Sequence, residues 1–154
     1  MTRHTENRDL PYSAEQMYAL VADVESYPEF LPWTIGARVR ERKAVAGGEE
    51  MLADLVVSFK VFRERYTSRV ILTPPDGGSV AKVDVTAING PFEKLVTYYT
   101  FIPQEGGGCT MGLDVEFQFR SRLMQRAAGM AFELALKRVS KAFEDRAMAI
   151  YGVV

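Results

Sequence analysis

The hydrophobic and polar positions change period along the chain, and the changes divide it into three stretches. From Thr2 to Leu10 the pattern is polar and only weakly alternating, which predicts a short first strand. Pro11-Tyr12-Ser13 then turns the chain, and Ser13 followed three residues later by Gln16 reads as a capping box. The helix behind it carries Met17, Leu20, Val21 and Val24 at helical spacing. Tyr27-Pro28-Glu29-Phe30-Leu31-Pro32-Trp33 comes next, its two prolines bounding a single turn of helix.

From Thr34 onwards the period is two. Met51, Ala53, Leu55, Val57 and Phe59 alternate with Leu52, Asp54, Val56 and Ser58, the pattern of a strand with one well-buried face. Further strands are predicted over Phe62 to Thr73, Val80 to Ala87, Leu95 to Ile102 and Met111 to Phe119. They are separated by Pro74-Pro75-Asp76-Gly77-Gly78, Asn89-Gly90-Pro91 and Gly106-Gly107-Gly108, turn chemistry that implies an antiparallel meander. The last stretch returns to helical spacing. One long helix is expected from Arg122 to Tyr151, with Ser121 as N-cap and Gly152 as its stop. Thirty residues would rise about 45 Å, enough to cross a whole sheet. Its stripe is Met124, Ala128, Phe132, Leu136, Val139, Phe143, Ala147 and Ile150. The predicted fold class is α+β: one antiparallel sheet of six to seven strands, two short helical pieces after the first strand, and a long helix laid across the sheet.

The inward positions hint at a cavity as well as a core. Large residues crowd the strands (Phe59, Tyr66, Tyr99, Phe101, Phe117, Phe119), while the first half of the last helix offers Ala127, Ala128, Gly129, Ala131 and Ala135. Small side chains facing a curved sheet either let the layers approach or leave a void, and the pattern does not choose between them. Trp33 and Pro32, between helix and sheet, suit either the mouth of such a void or a lid over the core.

Composition narrows the function classes. The chain has 154 residues, 47% hydrophobic and 25% charged, with a net charge of −1, as expected for a folded domain without a nucleic-acid-binding field. Arg120, Arg122 and Arg126 form a local basic cluster that reads as a solvated helix face. Cys109 is the only cysteine and His4 the only histidine, which excludes an intrachain disulfide and a His-rich or Cys-based metal site. No nucleophile elbow, phosphate loop or dinucleotide fingerprint is present. Asp114 and Glu116 share the polar face of their strand and are expected at the surface, where a catalytic acid–base pair is poorly placed. No catalytic residue is assigned. Met1 to Asp9 lacks the apolar region of a signal peptide, and no run reaches the roughly eighteen apolar residues of a membrane span. A cytoplasmic location is expected, with any membrane contact peripheral, at the inner membrane.

Tyr27-Pro28-Glu29-Phe30-Leu31-Pro32-Trp33 resembles the signature of the coenzyme Q-binding START-domain family, which also contains the bacterial ribosome association toxin. The likeness continues through Phe62-Arg63-Glu64-Arg65-Tyr66-Thr67-Ser68-Arg69-Val70, Gly90-Pro91-Phe92, Phe117-Gln118-Phe119-Arg120-Ser121 and Ala142-Phe143-Glu144-Asp145-Arg146-Ala147 to Tyr151-Gly152, so residues 1–154 read as one START-like domain. Two positions depart from the family pattern: Thr34 where Cys is usual, and Tyr99 where Trp is common.

The resemblance implies a helix-grip fold that binds ubiquinone or another isoprenoid lipid as ligand and serves respiration as its carrier, without covalent chemistry. It implies a gate of Phe30, Leu31, Pro32 and Trp33, and a lining that includes Tyr27, Phe59, Tyr66, Val70, Tyr99, Phe117, Met124 and Ala128. Burying each CH₂-like group contributes about 0.8 kcal/mol, so an isoprene unit adds about 3–4 kcal/mol and tails should outweigh heads in affinity. Two alternatives stay open. One is a ribosome association toxin that binds the large ribosomal subunit and blocks subunit joining. The other is a polyketide cyclase-like enzyme, which would need a buried acid or base.

Overall fold

The computed structural model describes residues 2–59 and 62–153. Its centre is a curved sheet of seven antiparallel strands: β1 (Thr2–Leu10), β2 (Thr34–Val45), β3 (Gly48–Phe59), β4 (Phe62–Thr73), β5 (Ala81–Ala87), β6 (Phe92–Pro103) and β7 (Cys109–Phe119). They lie in the order β1-β7-β6-β5-β4-β3-β2, a meander closed at one edge by the first strand. The alternation read from the sequence sets the register, with Met51 opposite Val70, Leu55 opposite Tyr66 and Phe101 opposite Met111. Irregularities in β2 and at the start of β6 bend those strands, as bulges do, and help the sheet to curl.

β1 forms without an apolar alternation. Its half-buried positions are Thr2, His4, Glu6 and Arg8, and the strand is held by its ladder to β7. His4 therefore does not sit in a solvated tail: its Nε2 lies 3.2 Å from the Glu6 carboxylate, which Arg8 also grips, and Arg8 reaches on to Glu144. α1 (Ala14–Ala22) follows, with both bonds of the Ser13–Gln16 capping box formed. A 3₁₀ helix over Val24–Glu29, with Pro28 inside it, precedes the sheet.

The single long helix expected from Arg122 to Tyr151 is two helices, α2 (Arg122–Leu136) and α3 (Val139–Tyr151). The join tightens: the Arg138 N–H bonds the Ala135 carbonyl three residues back, and the Arg138 carbonyl starts the next helix by accepting from Ala142. Neither proline nor glycine marks the place. Gly152 does end the second helix, at φ 87°. α3 is packed hard, with Phe143 and Ala147 fully buried and the Phe143 ring set among those of Tyr27, Phe30 and Tyr99. The small face expected of α2 is partly corrected too: Ala128, Gly129 and Ala135 are buried, Ala131 is half-buried and Ala127 faces out.

Candidate functional site

Between α2 and the middle of the sheet the layers do not close. A cavity of about 110 Å³ remains, floored by β3 to β6 and roofed by Phe132, Ala135, Leu136 and Val139, the residues on either side of the helix break. A second hollow of about 30 Å³ opens beside it, walled by Phe59, Phe62, Phe92, Phe119, Met124 and Ala128. Trp33, Val57 and Phe132 border both, so a Trp33–Phe132 pair at 5.9 Å divides one elongated apolar space in two.

Each wall residue is held by local structure. Trp33 has φ 64°, a left-handed backbone that a bulky residue adopts at a cost of about 1–3 kcal/mol. Stacking on Phe59 at 4.0 Å and the bond from the Ser58 N–H to the Trp33 carbonyl keep it there. Gly90 is required where it stands: at φ 92° a Cβ would meet the Tyr66 Cβ at 2.5 Å, so only glycine lets this turn press on Tyr66. Arg120 fixes the same turn, its Nε donating to the Gly90 carbonyl and its backbone N–H to that of Pro91.

Polar groups in this space fall into two kinds. The buried Tyr27 phenol donates to the Val21 carbonyl and is thereby occupied. Tyr66 and Tyr99 are equally buried, yet neither phenol bonds any group among the described residues. Ser68 is fully buried, its Oγ has no partner among the described residues, and it lines the cavity with Thr97. Leaving such a hydroxyl unsatisfied costs about 1–3 kcal/mol. Burial pushes the Tyr66 and Tyr99 phenols well above their usual range, so both remain protonated donors. Nothing else here titrates usefully. Burial raises the Cys109 thiol to about 11, away from the cavity. Asp114 and Glu116 lie on the outer face, paired with Arg3 and Lys94. Among the described residues no cluster of His, Cys, Asp and Glu suits a metal ion.

Of the residues singled out from the sequence, Tyr27, Leu31, Pro32, Trp33, Tyr66 and Tyr99 meet at the main cavity, and Phe59, Met124 and Ala128 at its neighbour. The structure does not bring the other three there. Phe30 packs on Tyr27 and Phe143 under the Arg146 guanidinium, Val70 lies in closed core, and Phe117 is sealed beneath Phe132 at 4.7 Å. Sequence reasoning passed over Ser68, Thr97 and Phe132. The first two carry a readable signal, a hydroxyl at an inward position of an otherwise apolar alternation.

Comparison with known proteins agrees with this architecture. The family model for polyketide cyclase / dehydrase and lipid transport matches residues 10–144. The ribosome association toxin RatA of Rickettsia prowazekii is 36% identical over 92% of this chain and 92% of its own length. The mitochondrial coenzyme Q-binding protein COQ10 homolog B of Xenopus laevis is 34% identical over 97% of this chain and 59% of its own length. A START superfamily protein from Mycobacterium smegmatis superposes with a TM-score of 0.75 at 18% identity, over 96% of this chain and 98% of that one, which establishes the helix-grip fold. The motifs from Tyr27 to Gly152 thus have their explanation, and the chain belongs to the polyketide cyclase / dehydrase and lipid transport family.

Proposed function

We propose that the chain binds ubiquinone or a related isoprenoid lipid and carries it, without covalent chemistry, in support of respiratory electron transport. The observation that supports this best is the divided apolar space under α2, with unpartnered hydroxyls at one end and aromatic walls at the other. A cavity of about 110 Å³ is well below the roughly 300–1,000 Å³ that encloses a ligand of drug size. Uptake therefore needs Trp33 and Phe132 to part, which joins the two hollows. Leu31, Pro32 and Trp33 act as the gate. Extraction of the purified protein with organic solvent, followed by mass spectrometry, tests the reading. A stoichiometric quinone or isoprenoid is expected. An empty protein that also refuses added quinone overturns it. Trp33→Ala should stay folded and lose retained lipid.

Transfer also needs a surface to meet. α2 turns Leu123, Met130 and Leu134 outward, 77%, 77% and 53% exposed, on one stripe with Ala127. Arg122, Arg126 and Arg138 beside it make no ion pair among the described residues. An apolar stripe edged by cations suits the surface of an anionic bilayer, where each such residue contributes about 1 kcal/mol. Leu123→Glu with Met130→Glu should abolish co-sedimentation with vesicles containing phosphatidylserine and leave the melting temperature unchanged. Undiminished co-sedimentation would remove the stripe from this role.

A second reading, binding to the large ribosomal subunit, is favoured by the RatA likeness and by the same arginines. The net charge of −1 weighs against tight rRNA binding, which draws on phosphate neutralisation. Ribosome co-sedimentation at low salt, lost when Arg120, Arg122 and Arg126 are neutralised, would establish it. Absence from ribosomal fractions would exclude it.

A further inference from the structure

The divided space is polar at one end only. Tyr66 and Ser68 on β4 and Thr97 and Tyr99 on β6 contribute hydroxyls to the main cavity, while the neighbouring hollow is aromatic and aliphatic except for Glu64 at its rim. Elsewhere in the molecule three phenols find acceptors, while the more exposed Tyr18 and Tyr98 make no hydrogen bond among the described residues and the buried Ser140 hydroxyl likewise has none. Tyr12 donates to the Gly152 carbonyl, Tyr151 to that of Gln16 and Tyr27 to that of Val21. Tyr66 and Tyr99 are as buried as Tyr12 and Tyr27 and have no such acceptor, and Ser68, with no exposed surface, has none either. The buried Ser68 hydroxyl and the Tyr66 and Tyr99 phenols face one cavity and have no acceptor among the described residues.

We propose that Tyr66, Ser68, Thr97 and Tyr99 form a head-group subsite. It takes the acceptor oxygens of a carbonyl-bearing ring such as a quinone, and the apolar tail runs past Trp33 and Phe132 into the aromatic hollow. The proposal rests on the lipid-carrier reading and adds orientation and head selectivity to it. Neutral phenols donate and do not attract cations, so the ligand class is an uncharged, acceptor-rich head. A hydrocarbon tail by itself satisfies none of these groups. The strip therefore supplies a discrimination between heads that tail burial does not.

The full chain is titrated with ubiquinone carrying two isoprene units and with geranylbenzene, which carries the same two-unit tail on a ring without oxygens, and bound lipid is quantified after gel filtration. Wild type should bind the quinone at least tenfold more tightly than geranylbenzene, about the effect of one or two net hydrogen bonds. Tyr66→Phe, Tyr99→Phe and Ser68→Ala should each lower quinone affinity by about 3- to 10-fold and leave geranylbenzene binding unchanged. Each variant removes one unpartnered oxygen, so thermal melting should be unchanged or raised, and a folding defect cannot imitate the result. Equal binding of the two lipids by wild type and variants would overturn the subsite and leave the carrier reading standing. Binding of neither would remove both.

Discussion

The two ends of the helical layer are built to different rules. α3 is tied on every side: Phe143 and Ala147 have no exposed surface, Arg8 holds Glu144, Arg146 reaches Glu29, and Tyr12 and Tyr151 bond the chain across the α1–α3 junction. α2 roofs a void, shows Leu123, Met130 and Leu134 to solvent, and bonds the sheet side chain to backbone through Gln125 alone, whose amide oxygen accepts from the Phe119 N–H. Among the described residues its one ion pair, Glu133 with Lys137 at the helix's own C-cap, is long at 3.9 Å. Low local stability of α2 follows from the void beneath it and its few polar ties. The difference teaches where the opening that the proposed carrier role requires would fall: α3 would be the anchor, α2 the roof that parts from the sheet, and the tightened turn at Lys137–Arg138 the joint.

Paired truncations of the two phenylalanines that face the sheet should expose this contrast most strongly. Phe143→Ala empties a fully packed site and should cost about 3–5 kcal/mol, read as a lower urea midpoint. Phe132→Ala enlarges a space that already exists and frees four aromatic neighbours to collapse inward, so it should cost clearly less. Equal losses at the two sites would mean that the roof is as firmly built as the anchor.

The same contrast explains what could be read from the sequence. Strand alternation was legible in β3 to β7 because one face of those strands is buried, and the Ser13–Gln16 box because a cap is a local device. Alternation cannot tell floor beneath a cavity from floor beneath a packed helix. Val70 and Leu55 both point inward, but only Leu55 reaches the cavity. That distinction depends on how far α2 stands off the sheet, which Phe132 and Trp33 decide together from distant parts of the chain. The helix break was illegible for a similar reason: the stripe from Met124 to Ile150 fits one straight helix, and the turn at Arg138 uses no special residue. β1 hid its character too, since its inward row is polar: His4, Glu6 and Arg8 pair along the strand, and Arg8 reaches across to Glu144.

Removing single phenol oxygens should sharpen the comparison on a smaller scale. At the anchored end, Tyr12→Phe strands the Gly152 carbonyl and should cost about 1 kcal/mol. At the roofed end, Tyr99→Phe removes a hydroxyl with no partner and should be neutral or slightly stabilising in the empty protein. A loss at Tyr99 equal to that at Tyr12 would show that its phenol is bonded within the folded chain, and the two ends would no longer differ in this respect.

Acid should separate the ends by the smallest margin, because the charges that matter are on the β1 side. Burial alone would raise Glu6, but hydrogen bonds from Arg8 and His4 outweigh it and hold the carboxyl below its usual range. The Arg3 hydrogen bond does the same for the more exposed Asp114. A carboxyl lowered in the folded state binds its proton first in the unfolded state. Its contribution is therefore complete above the unfolded value near pH 4 and is lost as pH falls through the lower folded one. Solvent screening keeps the Asp114 share below about 1 kcal/mol. Urea melts at descending pH should lose stability below about pH 5, and Glu6→Gln should flatten that slope. Hydrogen-exchange protection factors, corrected for the fall of intrinsic exchange with pH, should then drop in β1 before α3, while those of α2, whose single acid is Glu133, stay at their neutral-pH values. An acid slope unchanged by Glu6→Gln would mean that the β1 row contributes nothing to holding the anchored end.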